Sequence, residues 1–587
     1  MNILSHEQVI IAVVGLMVLL NVVSLWLPPK AKIPVILLAA VASLVWLSPR
    51  LSTGQTVLLV SIGVYTYLVV SELFDREQWE LREHLLKKIQ DCCAVEIVQA
   101  RRNGRLAADI GLTGLGVFGA VWFLAVAPDN YAPFKMFSIF MIISVLPRII
   151  ERIVHFYSSR FYWLPDTERL VVVSRFQPRD FSLRDLKDVS VWSSPDLLKL
   201  HPLFRIMSSY RDYTRTFGKV LILSFPTETI CLTPDQADEW YKRLAPFSAR
   251  ANEAGNVTAG SADQNEKTVK PLWHPSTLGR LFWKGYYLAT VKGVSAYSGC
   301  LAFLIWLKAP GWVIFLFIVS WWLVNLFVSD RLLIAAVDAE PITDGEVFSR
   351  AQRIFNRAGI SGTRLYTVDS ADYNGLATGM NIGRGAVILT TATLRLPPES
   401  IEAIVAHEAA HIRKRDVLWL QLARAFLIGG MAGGLYFFWD ELRLLAQDYK
   451  IAVFFVIYLL MMIFSMYTSF VSQWTEVRAD FTGAAWLEGG TGQMARGLRD
   501  LAVAQELDIE RAEASRTIGI DSTEHPAGSG TDTSEPGRDP WFFRVLGFQF
   551  MLHPPLYWRI NTLFRVCCWR QARKRWLIDR FRESLPF

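Results

Sequence analysis

Residues 397–412 read PPESIEAIVAHEAAHI and contain the pattern His-Glu-x-x-His at positions 407–411. The two prolines favour a helix start, and the apolar residues that follow recur at helical spacing. On a helix, His407 and His411 lie on one face, so both imidazoles can bind one metal ion. Glu408 can then accept a proton from water bound to that metal. The alternative is a chance pair of surface histidines, because a five-residue pattern alone is weak evidence.

A second acidic pair gives this pattern its context. Residues 474–480 read WTEVRAD, and Glu476 and Asp480 are again four residues apart on a predicted helix. One carboxylate could bind a zinc ion while the other accepts a hydrogen bond from a ligand histidine. The residues alone leave the two roles open, but a third ligand candidate argues against a chance match.

Five stretches follow one another in an order typical of a known family. They are YNGLATG at 373–379, Thr390-Thr391, AIVAHEAAHIRKRDV at 403–417, TEVRAD at 475–480, and His553-Pro554-Pro555-Leu556 followed by Arg559-Ile560. Together they resemble the HtpX-type and CAAX-prenyl-endopeptidase-type membrane zinc proteases, a family of integral-membrane gluzincins. The resemblance covers roughly residues 340–565, and the combined motifs are highly specific.

The resemblance implies one Zn²⁺ per chain, bound by His407, His411 and Glu476. It also implies roles in catalysis for three further residues: Glu408 as general base, Asp480 as the partner that orients His407, and His553 in the closing motif. An edge strand would bind an extended substrate, and its residues are Asn374, Gly375, Leu376, Ala377 and Thr378. The chain differs from the family pattern in having Gly375 where alanine is usual.

Composition predicts a membrane protein, since 52% of the residues are hydrophobic and 21 are tryptophan. A membrane-spanning helix needs about 20 mostly apolar residues. Nine stretches approach this length, at about 8–27, 33–48, 55–72, 110–128, 132–150, 288–307, 311–328, 417–438 and 451–471. We therefore expect three spans within 1–72 and hairpins at 110–150, 288–328 and 417–471.

Basic residues predict the orientation of these spans, because cytoplasmic loops are rich in Lys and Arg. Seven basic residues lie between Asp75 and Ala108, whereas the loop 48–55 has only Arg50. Segment 73–109 is thus expected to be a basic amphipathic cytoplasmic segment. Three spans before it and three hairpins after it return the metal-site helix and the C-terminus to the cytoplasm. This predicts a multi-pass protein of the cell (inner) membrane with its site on the cytoplasmic side.

A β-rich insert is predicted at 155–247. Its strand-like runs lie at 169–176, 189–192, 220–225 and 229–232, and Thr233-Pro234-Asp235-Gln236 has the form of a helix start. Strands closed by one C-terminal helix resemble a bacterial pleckstrin-homology-like (PH-like) domain. Such a unit would either dock a protein partner or lipid, or act as a spacer packed on the protease.

The remaining segments have simpler expectations. Residues 248–270 are predicted to be a flexible linker and 507–539 a disordered insertion. The C-terminal segment 566–587 combines aromatic and basic residues, which favours an interfacial helix on anionic lipid rather than a nucleic-acid site. The six cysteines include two adjacent pairs, which do not suit disulfides, so we expect reduced, structural thiols.

The expected fold is a multi-pass α-helical membrane protein with a mostly α zincin-type metalloprotease domain at 333–565, which has a small β-sheet, and an inserted PH-like β domain. The expected function is zinc-dependent cleavage of polypeptides, above all membrane proteins, at the cytoplasmic membrane face in membrane protein quality control. One alternative is a processing protease for prenylated or other specific peptides. The other is a membrane sensor or scaffold whose PH-like domain binds a protein partner and whose protease is regulatory.

Overall fold

The computed structural model describes residues 76–100, 104–126, 138, 152–154, 156–175, 177–201, 204, 210–254, 266–271, 273–288, 290, 295–370, 372–378, 385–448, 450–514, 541–583 and 585. The predicted spans at 8–27, 33–48 and 55–72 lie outside these residues, as does the span at 132–150 apart from residue 138.

The described helices and strands alternate along the chain. The helices are α1 Arg76–Asp91, α2 Gly104–Val126, α3 Leu197–Leu200, α4 Ala237–Ala254, α5 Pro275–Tyr287, α6 Ser295–Trp306, α7 Gly311–Ala336, α8 Gly345–Arg357, α9 Pro398–Lys414, α10 Asp416–Phe437, α11 Trp439–Asp448, α12 Lys450–Ala484, α13 Gly490–Ala514, α14 Trp541–Gln549, α15 Leu556–Arg565 and α16 Trp569–Arg582. The strands are β1 Val95–Glu96, β2 Arg160–Leu164, β3 Arg169–Val173, β4 Arg179–Ser182, β5 Asp188–Trp192, β6 Tyr210–Asp212, β7 Val220–Ser224, β8 Thr229–Leu232, β9 Glu266–Lys267, β10 Glu340–Pro341, β11 Arg364–Val368, β12 Gly375–Thr378 and β13 Ala386–Thr390.

The β-rich insert consists of two sheets and a helix. The first sheet has the order β1-β2-β3-β4 and the second β6-β8-β7-β5-β9. Trp240 and Leu244 of α4 pack into the core between them, which agrees with a strand unit closed by one helix. This helix begins at Ala237, three residues after the proline expected in its first position. Segment 76–100 belongs to the same unit, because α1 packs on β3 and β1 pairs with β2.

A second core belongs to the C-terminal half. Its sheet has the order β10-β11-β13-β12, so β12 is an edge strand that pairs with β13 on one side only. Helix α9 is almost entirely buried between this sheet and helices α8, α12 and α13. A Cβ at Gly483 of α12 would lie 2.7 Å from the backbone oxygen of Ala406, so only glycine allows α12 to approach α9 this closely.

Three helices are long and apolar enough to cross a membrane, judged by length and composition over the described residues: Gly104–Phe123, Gly311–Ala336 and Asp416–Phe437. They fall at the predicted spans 110–128, 311–328 and 417–438. Large apolar side chains such as Phe118, Phe315 and Phe426 are exposed on them, as expected for lipid-facing positions. The predicted span 288–307 is only partly described, as α6, and 451–471 forms part of the 35-residue helix α12.

Two predictions about flexible segments were wrong in part. Residues 249–254 of the predicted linker continue α4, and residues 266–267 form β9, which pairs with β5. Residues 507–514 of the predicted disordered insertion belong to α13. The C-terminal helix α16 packs in the protein core: Ala572 and Trp576, four residues apart, are fully buried, and Trp576 contacts Phe470 and Trp474. All six cysteines are free thiols, as expected.

Candidate metal centre

Three donor side chains meet where α9 and α12 cross. The two Nε2 atoms of His407 and His411 are 3.1 Å apart, because residues four apart on α9 lie on the same face. Glu476 of α12 approaches both histidines, with Oε2 3.3 Å from His407 Nε2 and Oε1 3.4 Å from His411 Nε2. These three residues are the one group of three metal-ligand side chains found among the described residues.

The spacing of these donors fits a zinc ion. Donors about 2.0–2.1 Å from a tetrahedral zinc ion are separated from one another by about 3.3–3.4 Å. The three separations of 3.1, 3.3 and 3.4 Å are close to this value. In addition, Glu476 Oε2 is buried and has no partner with hydrogen-bond geometry. A buried carboxylate whose two oxygens face the Nε2 atoms of His407 and His411 is an arrangement that a bound cation would satisfy.

Each of the two histidines has a carboxylate next to its Nδ1 atom, and each of these carboxylates accepts hydrogen bonds from an arginine. His407 Nδ1 lies 2.9 Å from Asp480 Oδ1, and Arg559 donates to both oxygens of Asp480 at 2.6 and 2.9 Å. His411 Nδ1 lies 2.8 Å from Asp416 Oδ2, and Arg478 donates to the other oxygen of Asp416. A carboxylate at Nδ1 fixes the ring orientation and leaves Nε2 directed at the metal position.

Asp416 reaches His411 because of an unusual backbone conformation. Arg415 ends α9 with φ 54° and ψ 43°, in the left-handed region, and Asp416 is the first residue of α10. A non-glycine residue adopts this conformation at a cost of about 1 kcal/mol. The turn at Arg415 therefore ends α9 and starts α10. Asp416, the first residue of α10, can then direct its carboxylate back towards His411 and the candidate metal position.

The charges of the site depend on one another. Burial lowers the pKa of both histidines, but their carboxylate partners outweigh it, so the pKa of His407 is raised and that of His411 is raised well above its usual value. Burial would raise the pKa of Glu476, yet the surrounding histidines hold it well below its usual range. Arg559 and His407 similarly lower the pKa of the buried Asp480. In the metal-free site, protons therefore compete with a cation for the imidazoles.

The candidate base and the candidate substrate strand are in contact. A Cβ at Gly375, the first residue of β12, would lie 3.3 Å from Glu408 Oε1 and 2.8 Å from Ile404 Cγ2. The start of β12 thus lies directly over Glu408. Residues 375–378 pair with β13 through one edge, and no strand of the described part of the chain pairs with the other edge. Asn374 precedes this strand and is exposed.

His553 also lies at the site, although far away in sequence. Its Nδ1 is 2.9 Å from Glu476 Oε2, and its side chain is 65% exposed. The motif His553-Pro554-Pro555 leads into α15, which carries Arg559 to within 3.4 Å of the same carboxylate. Three residues of the site, Asp416, Arg478 and Arg559, had no role predicted from the sequence. For Asp416 and Arg478, the one sequence signal was that they lie within the quoted motifs.

Comparison with known proteins identifies two regions of the chain. The profile of the Bacterial PH domain family matches residues 160–248, which agrees with the predicted PH-like insert. The profile of Peptidase family M48 matches residues 341–566. This range contains all eleven candidate site residues.

Curated relatives are proteases of the HtpX type. A protein named Protease HtpX homolog from Pelotomaculum thermopropionicum is 35% identical over 123 residues, which cover 20% of this chain and 44% of the relative. Its namesake from Nostoc punctiforme is 36% identical over 100 residues, 16% of this chain and 35% of the relative. The namesake from Acidiphilium cryptum is 29% identical over 250 residues, 41% of this chain and 81% of the relative. The chain spans less than half the length of the first two relatives. The resemblance inferred from the sequence is confirmed: residues 341–566 match Peptidase family M48, and the curated relatives that they resemble are named Protease HtpX homolog.

Proposed function

We propose that the chain is a membrane-embedded, zinc-dependent endopeptidase that cleaves polypeptides at the cytoplasmic membrane face. The observation that carries the proposal is the convergence of three donor side chains beside Glu408 and beneath the free edge of β12. His407, His411 and Glu476 would hold one zinc ion per chain. Two histidines and one glutamate leave a fourth position for the reacting groups, as in catalytic rather than structural zinc sites.

The chain's own residues have distinct tasks in this proposal. When bound, zinc supplies Lewis acidity to the scissile carbonyl and the attacking water. Glu408 accepts the proton of that water and passes it to the leaving amine. The free edge of β12, residues 375–378, pairs with the backbone of an extended substrate through main-chain hydrogen bonds. Asp480 and Asp416 position the histidines, and His553 lies on the exposed side where a substrate would approach.

The membrane setting suggests the class of substrate. Helix α10 begins two residues after α9 ends, and α10 is one of the three helices long and apolar enough to span a membrane. A site next to the end of such a helix would meet polypeptides where they leave the bilayer. We therefore propose multi-pass insertion in the cell (inner) membrane, a zincin-type fold for the M48 domain, and turnover of damaged or misassembled membrane proteins as its role.

Two alternatives remain proposals of lower rank. A processing protease for prenylated or other specific peptides would use the same chemistry on a narrower set of substrates. A sensor or scaffold would use the PH-like domain for a protein partner and keep the protease for regulation. The presence of Glu408 together with three ligands and both supporting aspartates favours an active enzyme over an idle one.

The test uses the full-length chain purified in detergent. It is incubated with a proteome-derived peptide library, once with equimolar zinc and once after removal of metal by a chelator. The proposal predicts new peptide termini that need zinc and that arise within, not only at the ends of, the peptides. No cleavage by the zinc-loaded protein would refute the proposed activity.

A further inference from the structure

A large cleft separates the PH-like unit from the M48 domain. Its volume is about 1080 Å³, at the upper end for ligand sites. One wall is the second sheet of the PH-like unit, with Ser190, Trp192 and Ser224. The opposite wall includes Asp369 and Arg395 of the M48 domain.

The alternation of side chains along β5 and β7 explains why the PH-like wall of the cleft has both polar and apolar residues. Val189, Val191, Leu221 and Leu223 face the core beneath α4, and the residues between them face the opposite side. On that side, Ser190 of β5 lies opposite Ile222 of β7. The face towards the cleft therefore offers both hydroxyl groups and apolar surface, which suits polypeptide backbone and small side chains.

Polar contacts connect the two domains at the cleft. The hydroxyl of Tyr210 donates to the carboxylate of Asp369, and Lys267 Nζ lies 3.5 Å from Glu340 Oε1. Helix α5 braces the same junction, because Arg280 contacts Asp196 of the PH-like unit at 3.1 Å and Asp338 next to the M48 domain at 2.8 Å. The cleft is thus a built feature and not a loose gap.

The cleft continues the candidate substrate strand. Asp369 and Ser370 line it, and in sequence they precede Gly375, the first residue of β12, by six and five residues. Lys187 of the PH-like unit lies 5.7 Å from the ring centre of Tyr373, two residues before that strand. Gly375, at the start of β12, lies over Glu408. A substrate would therefore pair with β12 on one side of the scissile bond. On the other side of that bond, it would leave the strand towards the cleft. Gly375 and Asp369 are six residues apart in sequence, so at most about 20 Å separates them, which six residues of extended substrate can span.

We propose, building on the peptidase function proposed above, that this cleft binds an extended segment of the polypeptide substrate. This segment lies on the side of the scissile bond that does not pair with β12. The charges of its walls balance, with Lys187, Lys267 and Arg395 on one hand and Asp188, Glu340 and Asp369 on the other. A phosphorylated lipid headgroup would call for an excess of positive charge, whereas a polar chain without strong net charge fits this balance. The PH-like unit then selects substrates with at least about six unfolded residues beyond the cleaved bond.

The experiment fills the cleft without touching the catalytic residues. Ser190→Trp places a large side chain on a strand that tolerates aromatic residues. Ser190→Ala is the control at the same position, and Lys242→Trp is the control for an added tryptophan on the exposed side of α4. The substrates are peptides cut from β-casein around a bond that the full-length wild-type protein cleaves, extended by two to eight residues on one side or the other.

For the wild type and Lys242→Trp, kcat/KM should rise about 10-fold or more as the peptide grows to about six residues on one side only. Ser190→Ala removes one hydroxyl but leaves the cleft open, so it should keep most of this rise. Ser190→Trp should abolish this rise through KM, while cleavage of the shortest peptide stays unchanged. An unchanged length dependence in Ser190→Trp would overturn the proposal, and so would an equal loss on short and long peptides. Binding of a labelled long peptide to the zinc-loaded Glu408→Gln chain, with and without Ser190→Trp, gives a readout without cleavage. Failure of the proposed peptidase activity is thereby distinguished from failure of the cleft proposal.

Discussion

Replacing Asp416 by asparagine tests whether the second ligand histidine depends on a carboxylate that the sequence pattern did not reveal. Asp416 lies 2.8 Å from His411 Nδ1 and is also bound by Arg478. Asparagine keeps the size and one acceptor oxygen but removes the negative charge. Loss of such a supporting carboxylate weakens metal binding by about 10- to 100-fold. This factor corresponds to about 1.4–2.8 kcal/mol of zinc-binding free energy.

The pH dependence gives this prediction a more specific signature. In the metal-free protein, burial lowers the pKa of His411, but Asp416 and Glu476 raise it by more than burial lowers it. Protons therefore compete with zinc for His411 below that raised pKa. Without Asp416 the pKa of His411 falls, and protons compete less. The wild type should therefore lose zinc affinity more steeply as the pH drops. The affinity ratio between wild type and variant should therefore be larger at alkaline than at acidic pH.

The assay is competition between the purified protein and a chromophoric chelator at several pH values. Asp344→Asn is a matched control, because Asp344 is an exposed aspartate of the same domain whose side chain makes no cap hydrogen bond. Equal zinc affinity for Asp416→Asn and wild type at the most alkaline pH measured would refute the role of Asp416. An affinity ratio that grew as the pH fell would refute the charge argument.

Three further predictions address the ligand set, the strand and the membrane orientation. Glu476→Ala should lower zinc occupancy sharply because it removes one of three protein ligands, whereas Asp480→Asn should weaken zinc affinity by only about 10- to 100-fold. Full zinc occupancy in Glu476→Ala, measured by elemental analysis, would show that Glu476 is not the third ligand. Gly375→Ala adds a Cβ 2.8 Å from Ile404 Cγ2 and 3.3 Å from Glu408 Oε1, so kcat/KM should fall about 3- to 10-fold with unchanged zinc affinity; unaltered kinetics would show that the contact does not constrain Glu408. A reporter active only in the cytoplasm should be active when fused after residue 90 or at Phe587. A cysteine placed at Ser522, in a chain with Cys300 replaced by serine, tests the same orientation. Its labelling by a membrane-impermeant thiol reagent in intact cells would contradict a cytoplasmic site.

The donor set was predictable because its geometry is local. His407 and His411, like Glu476 and Asp480, are four residues apart on a helix, so one face presents both members of each pair. Asp416 was not predictable in the same way. It reaches His411 only because Arg415 adopts a left-handed conformation, and a non-glycine residue in that conformation has no reliable sequence signal.

The contacts that the sequence did not predict are those for which a local pattern leaves the partner open. Ala572 and Trp576 form an apolar face in a basic helix, and this pattern fits lipid as well as protein; the structure buries them against Phe470 and Trp474. Strand β1 has two residues, which is too short for an alternating pattern, so its pairing with β2 across the intervening helix α2 could not be inferred. Long-range partners of short segments are decided by tertiary packing.

The central claim is that Glu408 acts as a base beside a zinc ion held by His407, His411 and Glu476. Glu408→Gln tests it most directly when zinc content and peptide cleavage are measured on the same preparation. Glutamine keeps the volume of the side chain and leaves all three ligands in place, but it cannot accept the proton of the attacking water. The proposal predicts about one zinc ion per chain and a rate of cleavage at least about 100-fold below that of the wild type. Cleavage at the wild-type rate by the zinc-loaded variant would contradict it.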